Sequence, residues 1–494
     1  MSSTHLHAAR RSRDLADLHH DVVDVLVVGG GVTGAGVALD AAARGLSVAL
    51  IDKSDLAAGT SRWSSKLAHG GLRYIVAGQV GVAWESAVER NHLVRTIAPH
   101  LIRPMHFVIP DLPGYPRGNK AMARAGFSIA EVLRVAARTP SVLPRTRWVD
   151  PDQARKLVPA LQPDVRGAFV TVDGSLEDDA RLVVAIARTA AGLGARVITH
   201  CRAEQVSRDG ARVRDELTGQ SCDLRARVVV VAAGVWCGGL VDDVPLQPSK
   251  GAHVLVRAAA LGHPTSAFNI LIPGSRNRFV FAVPRPDGTV QVGLTDDAVD
   301  RVEDEPQVSD DEEDFLLSTL STGLGSDVTS ADVVGRFAGL RPLLGQAGGT
   351  SAADLSRRHA LLDRDGVLVV VGGKLTTYRR MAQDAVDLVV RRLGVDRACS
   401  TTTIPLVGAN GPGTAFAPDR LSRRFGAEAA DVAACGPTES IAEGLPMLQA
   451  EACWAVAAEG AVTAADVERR LRLDLVPEWA AAARPYLEEL VSSP

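Results

Sequence analysis

Residues 22–52 constrain this chain more than any other stretch. Residues 22–29 (VVDVLVVG) are almost wholly apolar and β-branched, 32–44 are rich in small residues, and 46–51 (LSVALI) are again apolar. This pattern predicts a buried parallel strand, a helix and a second strand, a βαβ unit. Between the first strand and the helix stands Gly29-Gly30-Gly31-Val32-Thr33-Gly34, a GxGxxG. In that position Gly29 permits a tight turn, Gly31 lets the backbone approach a pyrophosphate, and Gly34 lets helix and strand pack closely. The helix then presents its positive end to the phosphates. Asp52 ends the second strand and can accept hydrogen bonds from ribose hydroxyls. Strand, glycines, helix, strand and acid in this order predict a dinucleotide site. They do not separate NAD from FAD.

Two further β-branched runs end in glycine. Residues 226–233 (ARVVVVAA) stop at Gly234, and 367–371 (VLVVV) stop at Gly372 and Gly373. Ligands of open α/β sheets bind at such carboxyl ends. The sheet is therefore assembled from distant stretches, and the intervening segments are insertions. Residues 278–295 alternate apolar and polar side chains around Pro286-Asp287-Gly288, a hairpin signal that points to a second, substrate-facing domain. Residues 303–314 are acidic. Ser309 and Glu312 fit a capping box, so the run is read as a solvated helix start. A Gly/Pro-rich linker over 408–418 leads into the helical pattern of 422–494. The fold class expected is α/β with an α+β insert: a Rossmann-like nucleotide-binding domain in discontinuous segments, an antiparallel-sheet substrate domain and a helical C-terminal domain. The boundaries expected are an N-terminal arm (1–20), the nucleotide domain (21–99, 150–240, 331–400), a cap segment (100–149), the substrate domain (241–330) and the C-terminal domain (401–494).

A net charge of −4 argues against a nucleic-acid binder. The six cysteines include no CxxC and no zinc-type spacing, so they are read as reduced thiols of a cytoplasmic protein, with no metal site. The polar first 20 residues, with His5, Arg10, Arg11 and Arg13 among them, lack a signal-peptide core. No apolar run approaches the ~18 residues of a transmembrane helix. Any membrane contact would be peripheral.

Residues 60–74 read TSRWSSKLAHGGLRY, which closely resembles the SSKL-HGGLRYL segment of the FAD-dependent glycerol-3-phosphate dehydrogenases, relatives of the D-amino-acid oxidases. Four more segments agree in order. Lys250-Gly251-Ala252-His253 resembles that family's KGSH, Gly339-Leu340-Arg341-Pro342-Leu343 its GVRPL, and Ser356-Arg357-Arg358-His359 its SR-H element. GGKLTTYR, from Gly372 to Arg379, matches the family's flavin motif without change. The resemblance spans about residues 21–400 and, more loosely, the helical tail. Asp52 departs from the family's usual Glu, and Arg62-Trp63 from a stretch that is often small and polar.

The resemblance implies non-covalent FAD, since no His or Cys sits in a motif tied to flavin attachment. The cofactor contacts it implies are Gly29, Gly31, Gly34, Asp52, Thr60, Ser65, Lys66, His69, Gly70, Gly71, Gly234, Gly373, Lys374, Leu375 and Thr376. A helix over 374–392, with Leu375, Met381 or Ala382, Ala385 and Leu388 on its apolar face, follows the glycine pair directly. Its N-terminus would stabilise negative charge on a reduced flavin. Arg73, Arg341, Lys374 and Arg357 form the implied phosphate clamp, with Tyr74 beside them; a dianion favours several charge-assisted donors. His253, read as the start of an alternating strand (HVLVR), suits a general base with a pKa near 7, and His69 is its rival.

The activity implied is oxidation of sn-glycerol 3-phosphate to dihydroxyacetone phosphate, with hydride passing from C2 to flavin N5 and electrons passing on to a membrane quinone. Alternatives are an oxidase using O₂, a D-amino-acid or 2-hydroxy-acid oxidase, and a non-catalytic flavin-binding sensor or scaffold. A homodimer is left open. Residues 117–147 carry seven basic residues (Arg117, Lys120, Arg124, Arg134, Arg138, Arg145, Arg147) against Glu131, interleaved with Met122, Phe127, Ile129, Val132 and Leu133. That is a candidate contact with anionic lipid on the cytoplasmic membrane face; a solvated helix pair capping the substrate domain is its alternative.

Overall fold

A computed structural model describes residues 3–68, 80–115, 144–275, 278–345, 358–409 and 419–492. The βαβ unit is there: strand Val22–Val28, helix Val32–Ala43 and strand Val48–Ile51. The helix is buried on almost every side, which explains its small residues. It packs against helices Asp179–Gly192 and Tyr378–Leu393, and a methyl group at Gly36 would lie 2.8 Å from the Tyr378 ring.

The first sheet runs His359–Arg364, Val367–Gly372, Ser221–Val231, Val22–Val28, Val48–Ile51, Arg196–Ile198. Its central strands are parallel, with Val28 beside both Ile51 and Val231. Three strands far apart in sequence therefore end at one edge. Ser221–Val231 starts earlier than the apolar run suggested. Its first half pairs antiparallel with Gly210–Asp215 and is buried on one face only.

The second sheet is built around Leu246–Arg257, which pairs with Thr289–Gly293 and Val333–Leu344. The expected hairpin is Phe279–Pro284 with Thr289–Gly293. The sheet continues through Ala267–Leu271, Ile102–Pro110 and Ala168–Leu176 to Leu67–Ala68. These pairings divide the chain differently from the boundaries read in sequence. Ala168–Leu176, Val333–Leu344 and Leu67–Ala68 fall inside segments assigned to the nucleotide domain, yet they are strands of the second sheet. Strand pairing over such separations leaves no local signature.

Three other differences are physical. The N-terminal arm contains a helix, Ala8–Leu18, that buries Leu15 and Leu18, and Arg11 pairs with Asp215 at 2.5 Å. The capping box opens helix Asp310–Ser321 as expected, and the acidic run upstream is exposed as expected, though two of its carboxylates are paired. Asp304 pairs with Lys53 at 2.6 Å, and Glu305 pairs with Arg62. The C-terminal helices between Arg420 and Ser492 have their own core around Met447, Val467 and Leu487. They dock through buried ion pairs: Arg470 with both oxygens of Asp55, and Arg181 with Glu459. The linker residues 410–418 and positions 117–143 of the basic segment lie outside the described residues. Among the described residues, no helix is long and apolar enough to cross a membrane.

Candidate active site

The carboxyl ends of the first sheet and one face of the second enclose a cavity of about 1030 Å³, at the upper end of the range for small-molecule sites. Its floor at one end is glycine. Gly29 holds φ +117°, and a Cβ there would lie 2.6 Å from the Ala232 carbonyl oxygen. Gly34, expected among the cofactor contacts, lies behind the floor, where helix packs on strand: a Cβ there would overlap the Gly29 carbonyl oxygen, so the position admits only glycine. Gly31 lines the cavity, and a Cβ there would meet only Ser61 Oγ, at 3.1 Å. Gly234, Gly372 and Gly373 also line it with positive φ, and a Cβ at Gly234 would project into open space. Backbone without side chains, beside the start of helix Val32–Ala43, is a cradle that fits a pyrophosphate.

Asp52 lines the cavity, but its carboxylate already accepts from Gly30 N at 2.6 Å and Ser54 N at 2.7 Å. Burial pushes its pKa above the usual carboxylate range. Thr60 lines the cavity while its hydroxyl donates to the Leu340 carbonyl at 2.6 Å. Lys374, Leu375 and Thr376 line it as well. The segment after the glycine pair is first a 3₁₀ turn, Leu375–Thr377, and becomes α-helical at Tyr378. The expected helix over 374–392 thus starts later. Its buried face includes Tyr378, Met381, Ala382 and Ala385, with Leu388 only partly buried.

The cations converge in part. Arg341 lines the cavity from strand Val333–Leu344, and its Nη1 donates to Asp296 at 3.1 Å and to Ser249 at 3.4 Å. It lies across Gly251, where any Cβ would overlap the guanidinium. Lys374 lines the cavity from the other sheet's edge, and its ammonium donates to Ser86 Oγ. Lys66, expected among the cofactor contacts, does not line the cavity. It is buried away from the cavity, donating to Asp179 at 3.2 Å and to the Arg62 carbonyl at 3.3 Å. Burial lowers its pKa to about 8. His69, Gly70, Gly71, Arg73, Tyr74 and Arg357 lie outside the described residues.

His253 sits well inside strand Leu246–Arg257, not at its start, because Pro248 and Gly251 disguise the strand's first half. It is buried and lines the cavity. Its Nε2 is 3.1 Å from Ser65 Oγ, and its ring stacks on Phe337 at 4.7 Å. Burial, then Arg341 and Lys66, hold its pKa well below the ordinary value, not near 7 as read from sequence. The imidazole is therefore held neutral, and the same burial and charges make it a weaker base than a free imidazole.

Sequence reading missed Asp296, which holds Arg341, and Asp179, which holds Ser64 and Lys66. Neither had a signal, since each partner is at least 45 residues away. Trp236 was missed too. It lines the cavity over Gly59, with Lys53 4.8 Å above its ring. Among the described residues no cluster of three or more His, Cys, Asp or Glu could hold a metal.

A model of the FAD dependent oxidoreductase family matches residues 24–397. The chain is 47% identical over 496 aligned residues to glycerol-3-phosphate dehydrogenase 1 of Mycobacterium tuberculosis, covering 96% of each. It is 32% identical to the aerobic glycerol-3-phosphate dehydrogenase of Staphylococcus aureus over 81% of this chain and 74% of that one. The crystal structure of the Bacillus halodurans glycerol-3-phosphate dehydrogenase complexed with FAD superposes with a TM-score of 0.75 at 26% identity, covering 98% of this chain and 94% of that one. The glycine cradle, the family model and the near full-length relatives agree: the chain belongs to the FAD-dependent glycerol-3-phosphate dehydrogenases.

Proposed function

We propose that this enzyme oxidises sn-glycerol 3-phosphate to dihydroxyacetone phosphate, with Arg341 and Lys374 binding the phosphate and His253 accepting the C2 hydroxyl proton. The observation that carries this is that Arg341 from the second sheet, Lys374 just beyond a strand of the first, and the buried imidazole of His253 all line one glycine-floored cavity. FAD, when bound against Gly29, Gly31, Gly234 and Gly373, supplies the acceptor for the hydride leaving C2. The protein's own groups do the rest. Arg341, fixed by Asp296 and Ser249, presents rigid donors to a phosphate. Lys374 adds a point charge. Two cations suit a dianion better than the single carboxylate of an amino acid or hydroxy acid. The proton leaving the C2 hydroxyl passes to the His253 imidazole, whose ring is held by Phe337 and Ser65. Arg73, Tyr74 and Arg357 complete the clamp in this reading, and His69, Gly70 and Gly71 complete the cofactor site.

Anaerobic addition of glycerol 3-phosphate to the purified yellow protein should bleach the flavin's visible absorption band. Neither glycerol nor D-amino acids should do so. A band that persists in glycerol 3-phosphate would refute the proposal.

The onward acceptor in this reading is a membrane quinone, reached by docking on the bilayer. The seven basic residues of 117–147, interleaved with apolar ones, support docking, since each adds about 1 kcal/mol near an anionic surface. The wild-type protein should sediment with anionic liposomes at low salt and be released at high salt. Charge reversal at Arg124, Arg134 and Arg138 should abolish sedimentation while activity with a soluble dye persists. A protein that ignores such liposomes at low salt would point to oxygen or a soluble acceptor.

A further inference from the structure

The segment Thr60–Lys66 forms one wall of the cavity, with Thr60, Ser61, Trp63, Ser64 and Ser65 all lining it. What fixes its conformation is not in the cavity. Lys66 holds φ +55°, a left-handed backbone that a long side chain seldom adopts without outside support. The support comes from behind. Buried Asp179 accepts from Ser64 N at 2.9 Å, Ser64 Oγ at 2.7 Å and Lys66 Nζ at 3.2 Å. Asp179 in turn accepts from Arg472 Nη1 at 2.7 Å.

Arg472 belongs to the C-terminal helical domain and follows helix Ala464–Leu471. It too is left-handed, with φ +65°, and it is buried. Its Nη2 donates to the Arg62 carbonyl at 3.0 Å, so one guanidinium grips the wall segment both directly and through Asp179. Asp474 aligns it, accepting from Arg472 Nε at 3.2 Å and from Arg62 Nη1 at 2.5 Å. A second, apolar route runs parallel. Leu475 and Val476 of the C-terminal domain pack in one cluster with Trp63 and Phe337, with Trp479 against it. Trp63 stacks on Phe337 at 5.3 Å, and Phe337 stacks on His253. Both routes end on the same ring: Ser65 meets His253 Nε2, and Phe337 covers its face.

We propose that Arg472 is a positioning residue for this reaction, through which the C-terminal domain holds the Ser64–Lys66 wall and thereby the orientation and dryness of His253. The inference rests on the glycerol 3-phosphate reading of the site. A planar guanidinium suits this place because it serves Asp179, Asp178, Asp474 and a backbone carbonyl at once. An ammonium keeps the charge and cannot span the same set. The charged groups facing His253 are Arg341 from strand Val333–Leu344 and Lys66 from the wall itself. If the wall relaxes, water enters and Lys66 moves, and both changes let the imidazole protonate more easily.

The test is Arg472→Lys, with Asp474→Asn as a milder second variant that leaves both arginines in place. Arg472→Lys should keep wild-type FAD content and far-ultraviolet circular dichroism. Its kcat for glycerol 3-phosphate should fall on the order of 10- to 100-fold, the scale of small misplacements of a reacting group. The acidic limb of its pH profile should move up towards pH 6.5, the ordinary value of a solvated imidazole. Asp474→Asn should shift kcat and the limb in the same direction by less. A merely structural loss would lower activity equally at every pH. The visible circular dichroism of the bound flavin, read without substrate, should change in both variants. This readout separates the two ideas: if wild-type flavin is not bleached by glycerol 3-phosphate, the substrate reading fails, and the dichroism still judges the wall. Wild-type kcat, pH profile and flavin dichroism in Arg472→Lys would overturn the proposal. If that variant does not fold, the same wild-type results in Asp474→Asn would overturn it.

Discussion

Arg341→Ala is expected to lower kcat/KM for glycerol 3-phosphate roughly 30- to 1,000-fold, a loss of about 2–4 kcal/mol of transition-state binding. The side chain is fixed before any substrate arrives. Asp296 and Ser249 hold Nη1, and the absence of a side chain at Gly251 leaves room for the guanidinium to cross the strand. Little ordering therefore remains to be done on binding, which makes the contact strong. The alanine variant also removes the ion pair of the buried Asp296 carboxylate, which keeps its bond from Ser249 Oγ, so flavin content and thermal stability must be measured beside the kinetics. Arg341→Lys separates the effects: it keeps a charge for Asp296 and loses the bidentate fork, so stability should recover more than kcat/KM. Gly251→Ala should displace the guanidinium without touching its charge and reproduce part of the loss. A yellow, folded Arg341→Ala enzyme with wild-type kcat/KM would remove Arg341 from the clamp.

His253→Ala should reduce kcat about 100-fold or more, the contribution of a positioned general base. The pH profile is the more specific readout. A base acts in its neutral form, so activity falls as pH drops through its pKa. Burial, Arg341 and Lys66 all depress that pKa, so the acidic limb of the wild-type enzyme should lie well below pH 6.5. In His253→Ala this limb should vanish. In Arg341→Ala it should move upward, because one depressing charge is gone. A limb unchanged in His253→Ala would transfer the base role to another group, with His69 next in line.

The two cations and the imidazole proposed to act on the substrate were legible because each stands in a motif that resembles one of the family's, beside glycines or an alternating strand. Their supports were not. Asp296 holds Arg341 from across a sheet, and Asp179 holds the cavity wall from the start of a helix with nothing local to mark it. Lys66 shows the reverse error. Its motif placed it among cofactor contacts, yet a left-handed backbone turns its side chain into a buried ion cluster. His253 was found, but its pKa was not, since desolvation and two charges distant in sequence set it.

Sequence by itself determined the βαβ unit, the glycine cradle, the hairpin and the capped helix. In each, the cause acts over a few residues: uniform burial selects β-branched runs, a positive φ or close approach selects glycine, and a free helix end selects a capping pair. Tertiary structure alone decided which strands joined which sheet, how the N-terminal helix packed, and how Arg472 reached the cavity wall. Those outcomes depend on pairings between groups tens to hundreds of residues apart. Such pairings stabilise only once the chain has brought both partners out of water, so neither partner alone carries the information.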